Sequence, residues 1–211
     1  GMLVYQGYRQ PDGRLGFERL DFGDQLPILY FPLTNGFRTQ IFISTIDYPA
    51  VDDVDCDGDL DILTFSSGGG YVEWYRNMSV EEGYGLDTLI FELVDDCYGG
   101  IYESGLSPEV DLPEDEDDCA FIDDITGDRP AGARHAGSTL LTFDNNQDGV
   151  KELALGDVSF TELVLLENGG TCDDAYFVAQ ELNYPQSDVP VEIIFFPAGF
   201  YLDMDGEGVR D

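Results

Sequence analysis

The chain has 211 residues, 43% of them hydrophobic, which suffices for one or two domains with a real core. Twelve Tyr and fourteen Phe exclude a solvated, disordered tail. Forty-four Asp plus Glu against nine Lys plus Arg leave a formal charge of −35, which repels phosphate backbones and anionic lipid and so excludes nucleic acid as a partner. The same charge favours cations, because clustered carboxylates repel one another until something positive sits between them. No apolar run approaches the roughly twenty residues of a membrane-crossing helix, so no membrane insertion is expected. Twenty-five Gly and ten Pro predict many turns, which suit short strands better than long helices.

In chain order, the start Gly1-Met2-Leu3-Val4-Tyr5 has neither a basic region nor an apolar leader. Gly1 ahead of Met2 reads as a tag scar, so the chain is expected to be an internal piece of a longer protein. The first patterned element is Asp53-Val-Asp55-Cys-Asp57-Gly58-Asp59-Leu-Asp61. An apolar strand, Ile62-Leu63-Thr64-Phe65, follows it; after a Gly/Ser turn comes a second strand, Tyr71 to Asn77, in which Trp74 and Tyr75 read as core rather than as a sugar platform. Asn77-Met78-Ser79 matches a glycosylation sequon, a pattern too short to carry weight. Residues 97–134 read as an irregular insertion in which Asp111 to Asp118 is almost solid carboxylate. Such a run is a solvated loop, with a second cation site as the sharper alternative. Cys97 and Cys119 flank this acidic segment and are paired first, because the loop between them has little apolar content to hold it; free buried thiols are the other reading.

A second patterned loop is Asp144-Asn-Asn146-Gln-Asp148-Gly149-Val150-Lys-Glu152, followed by Leu153-Ala-Leu-Gly156 and by Glu162 to Asn168. Its offset from the first stays at 91 residues without a gap, from Asp53 to Asp144 and from Asn77 to Asn168. A third and looser copy, Asp203-Met-Asp205-Gly-Glu207-Gly208-Val209-Arg-Asp211, begins 59 residues after the second. The chain therefore reads as one repeat domain, with units at about 40–90 and 135–185 and a truncated one at 195–211.

Each loop reads oxygen-x-oxygen-x-oxygen-Gly-x-x-carboxylate. Side chains at positions 1, 3 and 5 can turn toward one centre, and glycine at position 6 permits the sharp backbone turn. The carbonyl of position 7 and the acid at position 9 then close the shell. A set of hard oxygen donors suits calcium, since magnesium is stricter about geometry. The candidate ligands are Asp53, Asp55, Asp57, the Asp59 carbonyl and Asp61 in the first loop, and Asp144, Asn146, Asp148, the Val150 carbonyl and Glu152 in the second. The third offers Asp203, Asp205, Glu207, the Val209 carbonyl and Asp211, and it ends on its own closing acid. Occupancy is expected in the order first, second, third, with affinities around the 10⁻⁴–10⁻³ M of extracellular modules. An EF-hand would close with Glu at position 12 between helices; here that position is Thr64 or Leu155 inside a β-prone run, so the EF-hand reading fails.

These loops resemble the FG-GAP/VCBS repeat family, which includes the blades of integrin α-like β-propellers. Asp53 to Leu63 is the most specific stretch, and the resemblance covers most of the chain apart from the insertion. His135 to Leu141 and Asn168-Gly-Gly-Thr171 look like segments of large secreted proteins of Bacteroidetes-type bacteria. The resemblance implies an all-β fold, a partial β-propeller of such blades with calcium loops. A period near sixty gives about three and a half blades in 211 residues, fewer than the four to eight that usually close a ring. Remaining blades or another chain would then cover its edges. Cys56 stands where the family commonly has Gly, Asn146 replaces an acid, and Glu152 and Glu207 replace Asp. Cys56 can pair with Cys172, which follows the second unit, but the sequence leaves that pairing open.

Catalytic signals are weak. His135, beside Arg134, is the single histidine, and no motif marks a Ser or Cys nucleophile for it. With forty-four acids, chance carboxylate pairs are inevitable and do not point to glycoside hydrolysis. The expected function is a non-catalytic, calcium-binding module of a secreted or cell-surface protein that contacts protein or glycan. The alternative is an accessory or catalytic domain of a secreted polysaccharide-degrading enzyme.

Overall fold

The structure is a computed structural model and describes residues 1–86, 88–120 and 138–205. Arg134 and His135 lie outside the described residues, as do Glu207, Val209 and Asp211 of the third loop. The described residues are all-β, in four small antiparallel sheets without a helix. Among the described residues, no helix is long and apolar enough to cross a membrane. Two hairpins come first, β1 (Tyr5–Arg9) with β2 (Leu15–Arg19), and β3 (Tyr30–Pro32) with β4 (Arg38–Gln40). Two four-stranded meanders follow. The first pairs β5 (Ala50–Asp52), β6 (Asp61–Phe65), β7 (Val72–Asn77) and β8 (Phe91–Asp95) in chain order; the second does the same with β9 (Ser138–Phe143), β10 (Glu152–Asp157), β11 (Leu163–Asn168) and β12 (Phe177–Glu181).

The 91-residue offset is therefore a structural repeat, and the alternation of side chains along each strand shows how the units stack. Ile62 and Tyr75 face the β3–β4 hairpin, packing on Leu29, Phe31 and Ile41. Their equivalents Leu153 and Leu166 face the first meander instead. On the opposite face, Leu63 and Trp74 meet the second meander, while their equivalents Ala154 and Leu165 turn toward Tyr184 and Val191 of the C-terminal segment. Each meander thus buries both faces in the same sense, which is why β6 and β10 read as unbroken apolar runs rather than as alternating ones. Leu63, Leu153 and Leu166 are wholly buried, each contributing roughly 1.5–3 kcal/mol over exposure. The edge strands β5 and β9 lie side by side, with Tyr48 and Thr139 forming a parallel bridge.

Gly156 occupies the place that Phe65 fills in the first unit, because the following segment packs directly on its backbone. A Cβ there would sit 2.0 Å from the Pro197 carbonyl oxygen. Gly156→Ala is expected to push that segment off the sheet and to cost about 1–3 kcal/mol, read as a lower urea midpoint. An unchanged midpoint would show that the segment yields freely.

Both disulfides form, Cys97–Cys119 and Cys56–Cys172, and no described cysteine is free. The insertion corrects one expectation. Its acidic run is exposed at Glu114 to Asp117, but its base is not short of apolar content. Tyr98, Ile101 and Val110 enter the central core, and Tyr102 and Ala120 pack with Tyr71. The Gln180 side chain also binds Val110, accepting from its N–H at 2.9 Å and donating to its carbonyl at 2.8 Å. The run of acids drew attention away from the apolar positions on either side of it.

Candidate metal centre

The first loop connects β5 to β6 and the second connects β9 to β10, and the two share one hydrogen-bond skeleton. At position 1, Asp53 Oδ1 accepts from Gly58 N at 3.1 Å and Asp144 Oδ2 from Gly149 N at 3.0 Å. At position 3, Asp55 Oδ1 accepts from Asp57 N at 3.2 Å and Asn146 Oδ1 from Asp148 N at 2.9 Å. At position 5, Asp57 Oδ1 accepts from Asp59 N at 2.9 Å and Asp148 Oδ1 from Val150 N at 2.8 Å. These bonds leave a second carboxylate oxygen on each of Asp53, Asp55 and Asp57, that of Asp55 meeting Arg76. Gly58 and Gly149 have φ of +100° and +92°, a region closed to a residue with a β-carbon. Position 4 is left-handed as well, with φ of +67° at Cys56 and +64° at Gln147, which spacing alone did not reveal.

The closing acids do more than the loop chemistry predicted. Asp61 is fully buried, and its two oxygens accept from Val54 N at 3.2 Å and Asn77 N at 2.8 Å. It therefore ties the loop to the end of β7. Glu152 likewise accepts from Asn145 N at 2.6 Å.

The loops differ in how much charge they bury. One oxygen each of Asp53, Asp55 and Asp57 lies within 4.8 Å of the others. Asp57 Oδ2 and Asp59 Oδ1 are buried without a hydrogen-bond partner, and Asp55 Oδ2 is buried with only the Arg76 guanidinium against it. Burial of unpaired charge is costly, and desolvation accordingly pushes Asp59 up to about 6 and Asp61 up to about 7, with Asp55 also raised. The acidic group can hold a metal ion. In the second loop Asn146 Nδ2 donates to Asp148 Oδ2 at 3.0 Å and to Glu152 Oε1 at 3.2 Å. The amide supplies from within the chain part of what a cation would supply, and burial raises the Glu152 carboxyl above its ordinary value. Of the third loop, Asp203 lines a cleft of about 370 Å³ with Tyr48, Val51, Asp52, Leu141 and Thr142.

Sequence reasoning missed Arg76 and Glu81. Arg76 Nε makes an ion pair with Asp55 Oδ2, lies 2.6 Å from Glu81 Oε1, and places Nη2 3.4 Å from Asp173 Oδ1. No spacing rule reaches Glu81, because it comes from the β7–β8 connection and is brought in by folding. The two loops are neighbours. Lys151 Nζ is 3.3 Å from Asp52 Oδ2. The Cys56 and Cys172 sulfurs lie 3.4 and 3.5 Å from the Gly149 carbonyl oxygen, packing contacts since neither sulfur carries a proton. Replacing both cysteines with Ser is expected to cost about 2–4 kcal/mol in urea unfolding, because this cross-link closes a long loop of the unfolded chain. A loss within a few tenths of a kcal/mol would mean that packing already fixes the loop tip.

Compared with family models, curated proteins and solved structures, the chain matches none.

Proposed function

We propose that this chain is a non-catalytic, calcium-stabilised module of a secreted or cell-surface protein, built from FG-GAP/VCBS-type blades of a partial β-propeller and contacting protein or glycan. The observation that carries the reading is the buried acidic centre of the first loop, in which Asp57 Oδ2 and Asp59 Oδ1 lack donors and one guanidinium faces Asp55, while the other oxygens of Asp53, Asp55 and Asp57 hold the turn together. Carboxylates only, in a loop shaped by glycine and Asx-type bonds, suit a hard divalent cation, and calcium tolerates the irregular geometry better than magnesium. Two chain-ordered meanders stacked face to face in the same sense support the blade reading. Two disulfides suit an oxidising compartment.

Calcium titration by calorimetry on Asp57→Ala and Asp148→Ala tests it. Asp57→Ala is expected to remove the tighter binding event and Asp148→Ala the weaker. Unchanged binding in both would remove the calcium assignment. A glycan array, run with and without calcium, then separates a glycan partner from a protein one.

A further inference from the structure

We propose that the first loop holds two divalent cations, the second bound by Asp57, Asp59 and Glu81. The proposal rests on the reading of this loop as a cation site and extends it from one ion to two. One carboxylate oxygen from each of these three residues lies within 4.8 Å of the other two, forming a group that shares Asp57 with the Asp53, Asp55 and Asp57 group. Proximity of acids alone would not make a site. Asp59, however, is only 3% exposed, and its Oδ1 has no hydrogen-bond partner, while its Oδ2 accepts from Val80 N at 3.2 Å. A buried carboxylate in a group with two other acids, one of its oxygens fixed by a backbone N–H and the other without a donor, is a ligand awaiting a cation.

Loop chemistry assigns the position 7 carbonyl, not its side chain, to the first ion, which leaves Asp59 Oδ1 for a different one. Charge points the same way. Arg76 is the cation among the described residues that pairs with this group, through Asp55 and Glu81. One guanidinium and one divalent ion do not neutralise the six carboxylates of Asp53, Asp55, Asp57, Asp59, Asp61 and Glu81. The second loop is an internal control. Val150 stands where the first loop has Asp59, so the second loop lacks the buried side chain on which this group is built, and no group of three acids forms there among the described residues.

The test is calcium stoichiometry by flow dialysis at concentrations well above about 1 mM, on the whole chain with its disulfides intact. Glu81→Gln is expected to bind one calcium fewer than the wild type, and Asp59→Asn likewise, with melting in EDTA used to confirm that both are folded. Glu81→Asp is expected to restore the ion at weaker affinity. Asp53→Ala combined with Glu81→Gln is expected to lose two ions. A total loss of one in that pair would mean a single ion shared by both groups and would overturn the proposal. So would wild-type stoichiometry in both single variants. A wild-type chain that binds no calcium overturns the single-ion reading as well.

Discussion

Calcium at about a hundred times the Kd of a loop is expected to raise the melting temperature by roughly 5–10 °C for each loop filled. A ligand that binds only the folded state at that excess contributes about 2.7 kcal/mol, and a chain of this size shifts by roughly 2–4 °C per kcal/mol. The effect depends on pH, and its sign follows from the buried acids. Desolvation raises Asp59 to about 6 and Asp61 to about 7 in the folded chain, above the unfolded value near 4. The folded state therefore holds more protons than the unfolded one between about pH 4 and pH 7, and calcium-free stability falls as pH rises through that window. Calcium needs the ionised acids, so the gap between calcium-loaded and EDTA-treated melting temperatures is expected to widen from pH 5 to pH 8. Scanning calorimetry at the two pH values checks it. A gap that narrows with pH would mean that the buried acids are not the ligands.

Asp61→Ala is expected to be the most destabilising substitution in the loops even without metal. Its two oxygens hold the N–H groups of Val54 and Asn77, both residues buried at 2% exposure. Alanine strands both amides, at about 1–3 kcal/mol each, for a loss of roughly 2–6 kcal/mol in EDTA. Asp61→Asn keeps one acceptor and is expected to lose about half as much. Glu152→Ala provides the comparison in the second loop, where the acid serves Asn145 N and the Asn146 side chain. If Asp61→Ala unfolds within about 0.5 kcal/mol of the wild type in EDTA, the acid is a ligand alone and not a tie between loop and β7.

Much of this was legible in the sequence because its physical causes are local. The alternation of oxygen-bearing residues and the glycine at position 6 determine how the chain turns within nine residues, so both loops share one turn, held by side-chain bonds to the backbone that spacing alone did not show. The apolar runs after Asp61 and Glu152 specify β6 and β10 for the same reason, and the gap-free offset carried β10 and β11 from β6 and β7, while the fourth strand begins five residues early. The cysteine neighbours of the acidic segment were readable in the same way.

Tertiary structure decided what depends on segments far apart in the chain. Which face of each strand meets which neighbour became visible only once Ile62 and Leu153 were seen to face the preceding unit while Leu63 and Ala154 face the following one. The insertion's part in the core, through Tyr98, Ile101 and Val110, has no periodic signature and arises from docking between the two meanders. Arg76 and Glu81 join the first loop because β7 and its connection to β8 fold back beside it. Sequence alone thus determined which oxygen-bearing residues stand at each loop position and the turn that presents them, since those follow from backbone geometry over a few residues. Packing decided how much of that charge is buried and what faces it, because desolvation is a property of the assembled neighbours and of no single loop.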